Sequence, residues 1–210
     1  MVLKYGLLGL AYLLGSIPFS VILGKKYKGI DIREHGSGNP GGTNSLRFLG
    51  KKIGYAVLFL DGLKAGLIVM LITTNIIDGS QLLHPLAYGV ASAFGHVYSL
   101  YIKFKGGKAV AATVGIMIAY NLLFAFIMMI IFFTVLRIWK YVSVSSTVSV
   151  FAGLIIGTVV GITSNDWNMA FYLLLLFILV AFRHKKNFRN IKNGIEPKVK
   201  LFDKEKVNSN

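Results

Sequence analysis

Residues 36–47 read Gly-Ser-Gly-Asn-Pro-Gly-Gly-Thr-Asn-Ser-Leu-Arg. Gly36 and Gly38, interleaved with Ser37, Asn39, Thr43 and Asn44, give a loop with exposed backbone N–H groups, short hydrogen-bonding side chains and little bulk. Such a loop can cradle an oxyanion. Arg47, eight residues after Asn39, adds a planar fork suited to bidentate phosphate binding. A flexible connector draws on the same Gly, Ser, Asn and Pro vocabulary, but it needs neither the arginine nor this density of polar side chains.

A second cluster, Lys103-Phe104-Lys105-Gly106-Gly107-Lys108, runs into an apolar segment. Paired glycines followed by lysine at a helix start bring N–H groups, a favourable helix dipole and an ammonium to one point. The Gly-x4-Gly-Lys-[Ser/Thr] spacing of a nucleotide-binding loop is absent, and a basic turn that only sets topology would look similar. A third cluster is Arg183-His184-Lys185-Lys186-Asn187. His184 and Asn187 share a helical face at i and i+3, and histidine suits proton transfer near neutrality; the alternative is a basic cap in which His184 is incidental. Asp61 and Lys64, also i and i+3, interrupt an apolar run and read as a buried ion pair bracing a bundle. His96 reads as a packed histidine, the serines at 143, 145 and 146 as helix-capping groups, and Glu196 as a brace for the tail.

The elements that must position these groups are membrane helices. Hydrophobic residues make up 55% of the 210 and charged ones 15%, against about 45–50% and 25% in soluble domains, and the mean hydropathy is +0.66. Apolar runs fall at 3–24, 53–77, 84–102, 109–136, 141–164 and 167–182. The first is too long for a signal-peptide core and reads as a retained span. Residues 1–202 are expected to form one integral membrane domain, and 203–210 a polar, disordered tail. The net charge of +15 sits in short blocks beside the spans, which argues for topology and anionic headgroups rather than nucleic acid. No cysteine is present, which excludes disulfides, thiolate metal sites and a cysteine nucleophile; no metal or cofactor is expected.

Every basic block belongs in the cytoplasm by the positive-inside rule, and the connections holding Asp78 and Asp166 belong outside. The N-terminus is then external and the C-terminus cytoplasmic. Run 109–136 has basic residues at both ends, so it crosses an even number of times, as two short helices turning near Tyr120-Asn121 or as a re-entrant hairpin. The expected fold is an all-α polytopic bundle of seven helices, or five full spans plus a hairpin. All three phosphate-friendly clusters then fall on one side of the membrane.

At these residues the chain resembles the bacterial acyl-phosphate-dependent glycerol-3-phosphate acyltransferases, the PlsY family. The first motif is similar to Gly15-Ser16-x-Pro18 through Asp31-x-Arg33, the loop 36–47, and Asp61-x-x-Lys64. The second resembles Gly95-His96 with Phe104 to Lys108, and the third Arg183-His184-x-x-Asn187 through Gly194-x-Glu196. Ala109 stands where the second motif usually continues with glycine, and the proline common after Gly-His is absent.

The resemblance implies transfer of an acyl group from acyl phosphate to the 1-hydroxyl of glycerol 3-phosphate, giving lysophosphatidic acid on the cytoplasmic face of the bacterial cell membrane. It implies essential roles for Ser37, Arg47, His184 and Asn187. Substrate binding would fall to the Lys105–Lys108 loop, the polar residues of the first loop and Ser143, and a structural role to Glu196. Expected partners are the two substrates, membrane lipids and the peripheral enzyme that makes acyl phosphate. An activated donor needs orientation and charge neutralisation more than a covalent nucleophile; accordingly there is no Gly-x-Ser-x-Gly elbow and no histidine with aspartate five residues on. On this reading Arg47, Lys105 and Lys108 neutralise phosphate, Ser37 and Asn187 fix hydroxyl and carbonyl groups, and His184 or a substrate phosphate takes the proton. Two rival classes are a transporter of a phosphorylated metabolite, which needs gates on both faces, and a lipid-binding protein, which does not need such a polar loop.

Overall fold

The computed structural model describes residues 2–199, and all regular structure among them is helical. The α-helices are α1 (Val2–Ser16), α2 (Phe19–Lys28), α3 (Gly42–Phe48), α4 (Lys51–Thr73), α5 (Pro85–Val97), α6 (Val110–Tyr120), α7 (Leu122–Trp139), α8 (Val142–Ser164), α9 (Asn168–Arg183) and α10 (Lys185–Lys192). Single 3-10 turns lie at Ile32–Glu34 and Leu100–Ile102. Four stretches have the length and apolarity of a membrane span: Val2–Lys28, α4, α7 and α8. A fifth is formed if α9 and α10, bent by 49° at their junction, are taken together.

Local chemistry breaks three of the expected runs. The first span is interrupted at Ile17-Pro18, because Pro18 has no N–H to continue the ladder. The run 84–102, expected as a span, is helical only over the 13 residues of α5 and finishes in a 3-10 turn. Run 109–136 breaks where expected, at Asn121. Its extended backbone (φ −156°) and a side chain accepting the Phe124 N–H at 3.0 Å start α7 afresh. The two pieces are unequal: α6 has 11 residues, whereas α7 has 18 and is long enough to cross. The tail expected at 203–210 lies outside the described residues.

The helices approach closely through small residues. Gly62 and Gly66 of α4 face Gly115 of α6, and a Cβ at Gly115 would collide with the Gly62 carbonyl. Gly15 of α1 lies against Ser92 of α5, and Gly95 against the Tyr12 carbonyl. Such contacts are the usual means of helix association where lipid removes the hydrophobic drive. Val69, Leu86, Val97, Ile116, Leu173, Leu176 and Val180 join α4, α5, α6 and α9 in the main core. Phe59, Leu123, Phe126, Phe133, Ile155, Ile162 and Ile178 point outward, as they should in a chain surrounded by acyl tails.

Candidate active site

The first loop is organised from within. The buried Asn44 carboxamide donates to the carbonyls of Ile32 (3.2 Å) and His35 (2.9 Å) and accepts the Ser37 N–H at 3.3 Å. Asn44, expected to bind substrate, is instead the residue that shapes the loop. Gly36 sits at φ +59° beside the Phe48 ring and Asn44 Oδ1, where any side chain would collide. The Ser37 hydroxyl accepts the Asn39 N–H at 3.4 Å, which leaves its proton available to a ligand. Ser37, Thr43 and Arg47 are exposed and Asn39 is half-buried. At the base of the loop Asp31 accepts two hydrogen bonds from the Arg33 guanidinium, at 2.9 and 2.6 Å. Those bonds hold its carboxyl well below the usual carboxylate range, against the opposing effect of burial.

The second loop is pinned from two directions. The Gly106 N–H donates to the Val97 carbonyl (2.9 Å) and the Gly107 N–H to the His96 carbonyl (3.0 Å), so both amides cap the end of α5. Their carbonyls receive the Arg183 fork, from Nη2 to Gly106 at 3.0 Å and from Nε to Gly107 at 3.1 Å. These glycines, expected to contact phosphate through their amides, are instead close-packing positions. The side chains of Lys105 and Lys108 are not taken up by these backbone contacts. Ala109 is buried at φ +59°, the left-handed conformation in which glycine is at ease.

The second and third clusters meet directly. Lys108 Nζ donates to Asn187 Oδ1 at 2.6 Å, and Asn187 Nδ2 donates to Glu196 Oε1 at 2.6 Å. Glu196 Oε2 also accepts from Asn190 at 3.2 Å, which ties the tail to α10. Burial lowers Lys108 to about 8, opposed by Glu196 and reinforced by Arg183, Lys186 and Arg47. Pro40 of the first loop lines one small cavity with Gly106 and Gly107 of the second, which brings the first cluster beside the second, and Arg47 is among the charges that act on Lys108. The side chains of Arg47 and Lys105 make no ion pair or hydrogen bond among the described residues.

His184, beyond the last turn of α9, is buried. Its Nδ1 lies 2.9 Å from the Val180 carbonyl; because a carbonyl only accepts, Nδ1 carries a proton and Nε2 carries the lone pair of the neutral ring. Burial and the neighbouring Lys108 lower it to about 4, so it is neutral at physiological pH. Ser145 and Ser146 donate back to the carbonyls of Tyr141 and Val142, each at 2.8 Å, but the buried Ser143 hydroxyl has no partner. Ser143 is thus the serine of the three able to meet a ligand. Sequence reasoning placed Arg183 in the third cluster without giving it a site role. The fork on the second loop supplies one, over a separation of 76 residues that leaves no local signal.

The family model described as glycerol-3-phosphate acyltransferase matches residues 5–194. This chain belongs to the glycerol-3-phosphate acyltransferase family. A glycerol-3-phosphate acyltransferase of Bacillus cytotoxicus is 44% identical over 206 residues, covering 98% of this chain and all of that one. One from Bacillus subtilis strain 168 is 44% identical over 191 residues, covering 91% and 95%. Two crystal structures of PlsY, an integral membrane glycerol 3-phosphate acyltransferase, superpose with 32% identity over 93% of this chain. The TM-score is 0.83 for the glycerol 3-phosphate form and 0.81 for the lysophosphatidic acid form. The resemblance carried by the three motifs is borne out, and the chain aligns with an acyltransferase family rather than with a transporter.

Proposed function

We propose that this acyltransferase carries an acyl group from acyl phosphate to the 1-hydroxyl of glycerol 3-phosphate, giving lysophosphatidic acid for phospholipid synthesis. The observation that carries this reading is the Lys108–Asn187 contact with Arg47 nearby. It gathers cations for two phosphate groups, a carboxamide and a neutral histidine at one end of the bundle. Seven helices crossing with the N-terminus outside would put that end at the cytoplasmic face of the cell membrane, where both substrates are made.

The hydroxyl oxygen attacks the acyl carbonyl carbon, the carbon–oxygen bond to phosphate breaks, and the hydroxyl proton leaves on the phosphate. Arg47, Lys105 and Lys108 hold the phosphates, Ser37, Asn39 and Thr43 line the first loop, and Ser143 and Asn187 orient oxygen atoms. His184, at about 4, is a weak base; a phosphate group, with its second ionisation near pH ~6, is the better acceptor. His184 Nε2 then orients the hydroxyl. A peripheral enzyme must supply the acyl phosphate.

The test is purified protein in proteoliposomes with labelled glycerol 3-phosphate and, in separate reactions, palmitoyl phosphate, palmitoyl-CoA and palmitoyl-acyl carrier protein. Labelled lysophosphatidate from palmitoyl phosphate alone is expected. Product only from a thioester would overturn the donor, and no product from any would overturn the activity.

A further inference from the structure

Beneath the site lie three buried ionisable side chains that the chemistry above does not use. Asp61 and Lys64 are one turn apart on α4, and His96 lies in the last turn of α5. The Lys64 ammonium donates to Asp61 Oδ1 at 2.7 Å and to the Ile17 carbonyl at 2.6 Å. Ile17 precedes the Pro18 break, so this ammonium holds the interruption in the first span. Asp61 Oδ1 faces His96 Nδ1 at 3.6 Å, beyond a direct hydrogen bond, and Nδ1 has no partner.

His96 also forms the floor of the second loop. Its carbonyl takes the Gly107 N–H, and a side chain at 107 would collide with its Nε2. A cavity lined by Ile17, Pro18, Pro40, Asp61, His96 and Gly107 has room for water centres of about 10 Å³, enough for one water. It touches the broken span, the first loop through Pro40 and the second through Gly107. An unpartnered buried polar atom is costly, and a buried ion pair rarely stabilises a core better than apolar groups do. Bracing alone does not account for the three groups, and ionisable residues within a membrane bundle usually serve its function.

We propose that Asp61, Lys64 and His96, joined by one water between His96 Nδ1 and Asp61, form a positioning node that sets the Gly106–Gly107 turn, and with it Lys108, against the first loop. The node rests on glycerol 3-phosphate being bound above it and is indifferent to the acyl donor. None of the three touches substrate.

The test uses the full chain in lipid nanodiscs, with His96→Leu, the partial mimic His96→Asn, and Asp61→Asn as a shape-preserving second route should the leucine variant not fold. His96→Leu is expected to raise KM for glycerol 3-phosphate about tenfold, with kcat within about twofold. Amide exchange over 103–109 should quicken by a similar factor while α8 exchanges as before, and His96→Asn should recover most of both. Unchanged KM and loop exchange in His96→Leu and Asp61→Asn would overturn the node. So would exchange that rises equally in the loop and α8, which would mark a scaffold. If the unmutated chain makes no lysophosphatidate, the function assigned above fails, while the exchange comparison still decides the node.

Discussion

Arg183 fastens the last long helix to the second loop, its Nε donating to the Gly107 carbonyl at 3.1 Å while Nη2 reaches the Gly106 carbonyl at 3.0 Å. The residue next to it in sequence is His184, and the residue after Gly107 is Lys108. One guanidinium therefore fixes the spacing of two site elements that belong to different helices.

Arg183→Lys keeps the charge and loses the fork. Hydrogen bonds from a charged donor contribute about 1.5–3 kcal/mol, so losing one of the two should lower kcat/KM about ten- to a hundredfold, chiefly through KM for glycerol 3-phosphate. Steady-state kinetics in proteoliposomes reads this. An unchanged KM would remove Arg183 from the positioning of the loop.

Lys108 should set a basic limb. Its free-enzyme value of about 8 means that the ammonium needed for a phosphate dianion is lost above that pH, and kcat/KM reports the free enzyme. The profile should fall above pH ~8, and the residual activity of Lys108→Arg should lack that limb. Stability runs the other way. Because folding lowers this lysine from 10.5, the unfolded chain binds more protons between pH 8 and 10.5. Thermal stability relative to Lys108→Met should therefore rise across that window and be level below it.

Much of this was legible in sequence. Asn121 marked the break between α6 and α7 because an amide side chain within an apolar run is a natural helix start, and the three clusters were each found from residue type and spacing. What spacing cannot show is which groups are already taken. The Gly106 and Gly107 amides are claimed by the carbonyls of Val97 and His96 at the end of α5, nine and eleven residues upstream. The Asn44 carboxamide is claimed by Ile32 and His35. These partners are available only because α5 ends at Val97 and the first loop folds back on itself. Both are tertiary outcomes, invisible to a reading of one segment at a time.

The serines at the start of α8 can be told apart by mutation. Ser143→Ala removes a buried hydroxyl without a partner, so stability should hold or rise slightly, while kcat/KM falls about tenfold if that hydroxyl meets substrate. Ser146→Ala removes only bonds back to the backbone carbonyls of Val142 and Ser143 within the same helix turn and should leave activity within about twofold. Parallel thermal melts and rates decide it. Equal activities for the two variants would dissociate Ser143 from the site.

Ala109 tests strain in the second loop. Left-handed backbone costs an alanine about 1–2 kcal/mol. Ala109→Gly relieves that strain but loses a buried methyl, about 0.8 kcal/mol, and adds about 0.5–1 kcal/mol of unfolded-chain entropy. These nearly cancel, so the melting temperature should barely move. Ala109→Val places a β-branched residue at φ +59° in a buried site, and should destabilise by more than about 2 kcal/mol, with loss of glycerol 3-phosphate affinity.

His184 separates two accounts of the proton. Held neutral at about 4, it cannot produce an acid limb near pH 6.5. Any limb near pH ~6 should come from the substrate phosphates and persist in the residual activity of His184→Gln. The same lowering has a stability signature. The unfolded chain takes up a proton near 6.5 while the folded chain resists until about 4. Stability relative to His184→Gln should therefore decline as pH falls from 6.5 to 4 and stay level above. A limb near 6.5 that vanishes in His184→Gln would instead make this histidine the base, and would require substrate binding to reorganise its buried ring.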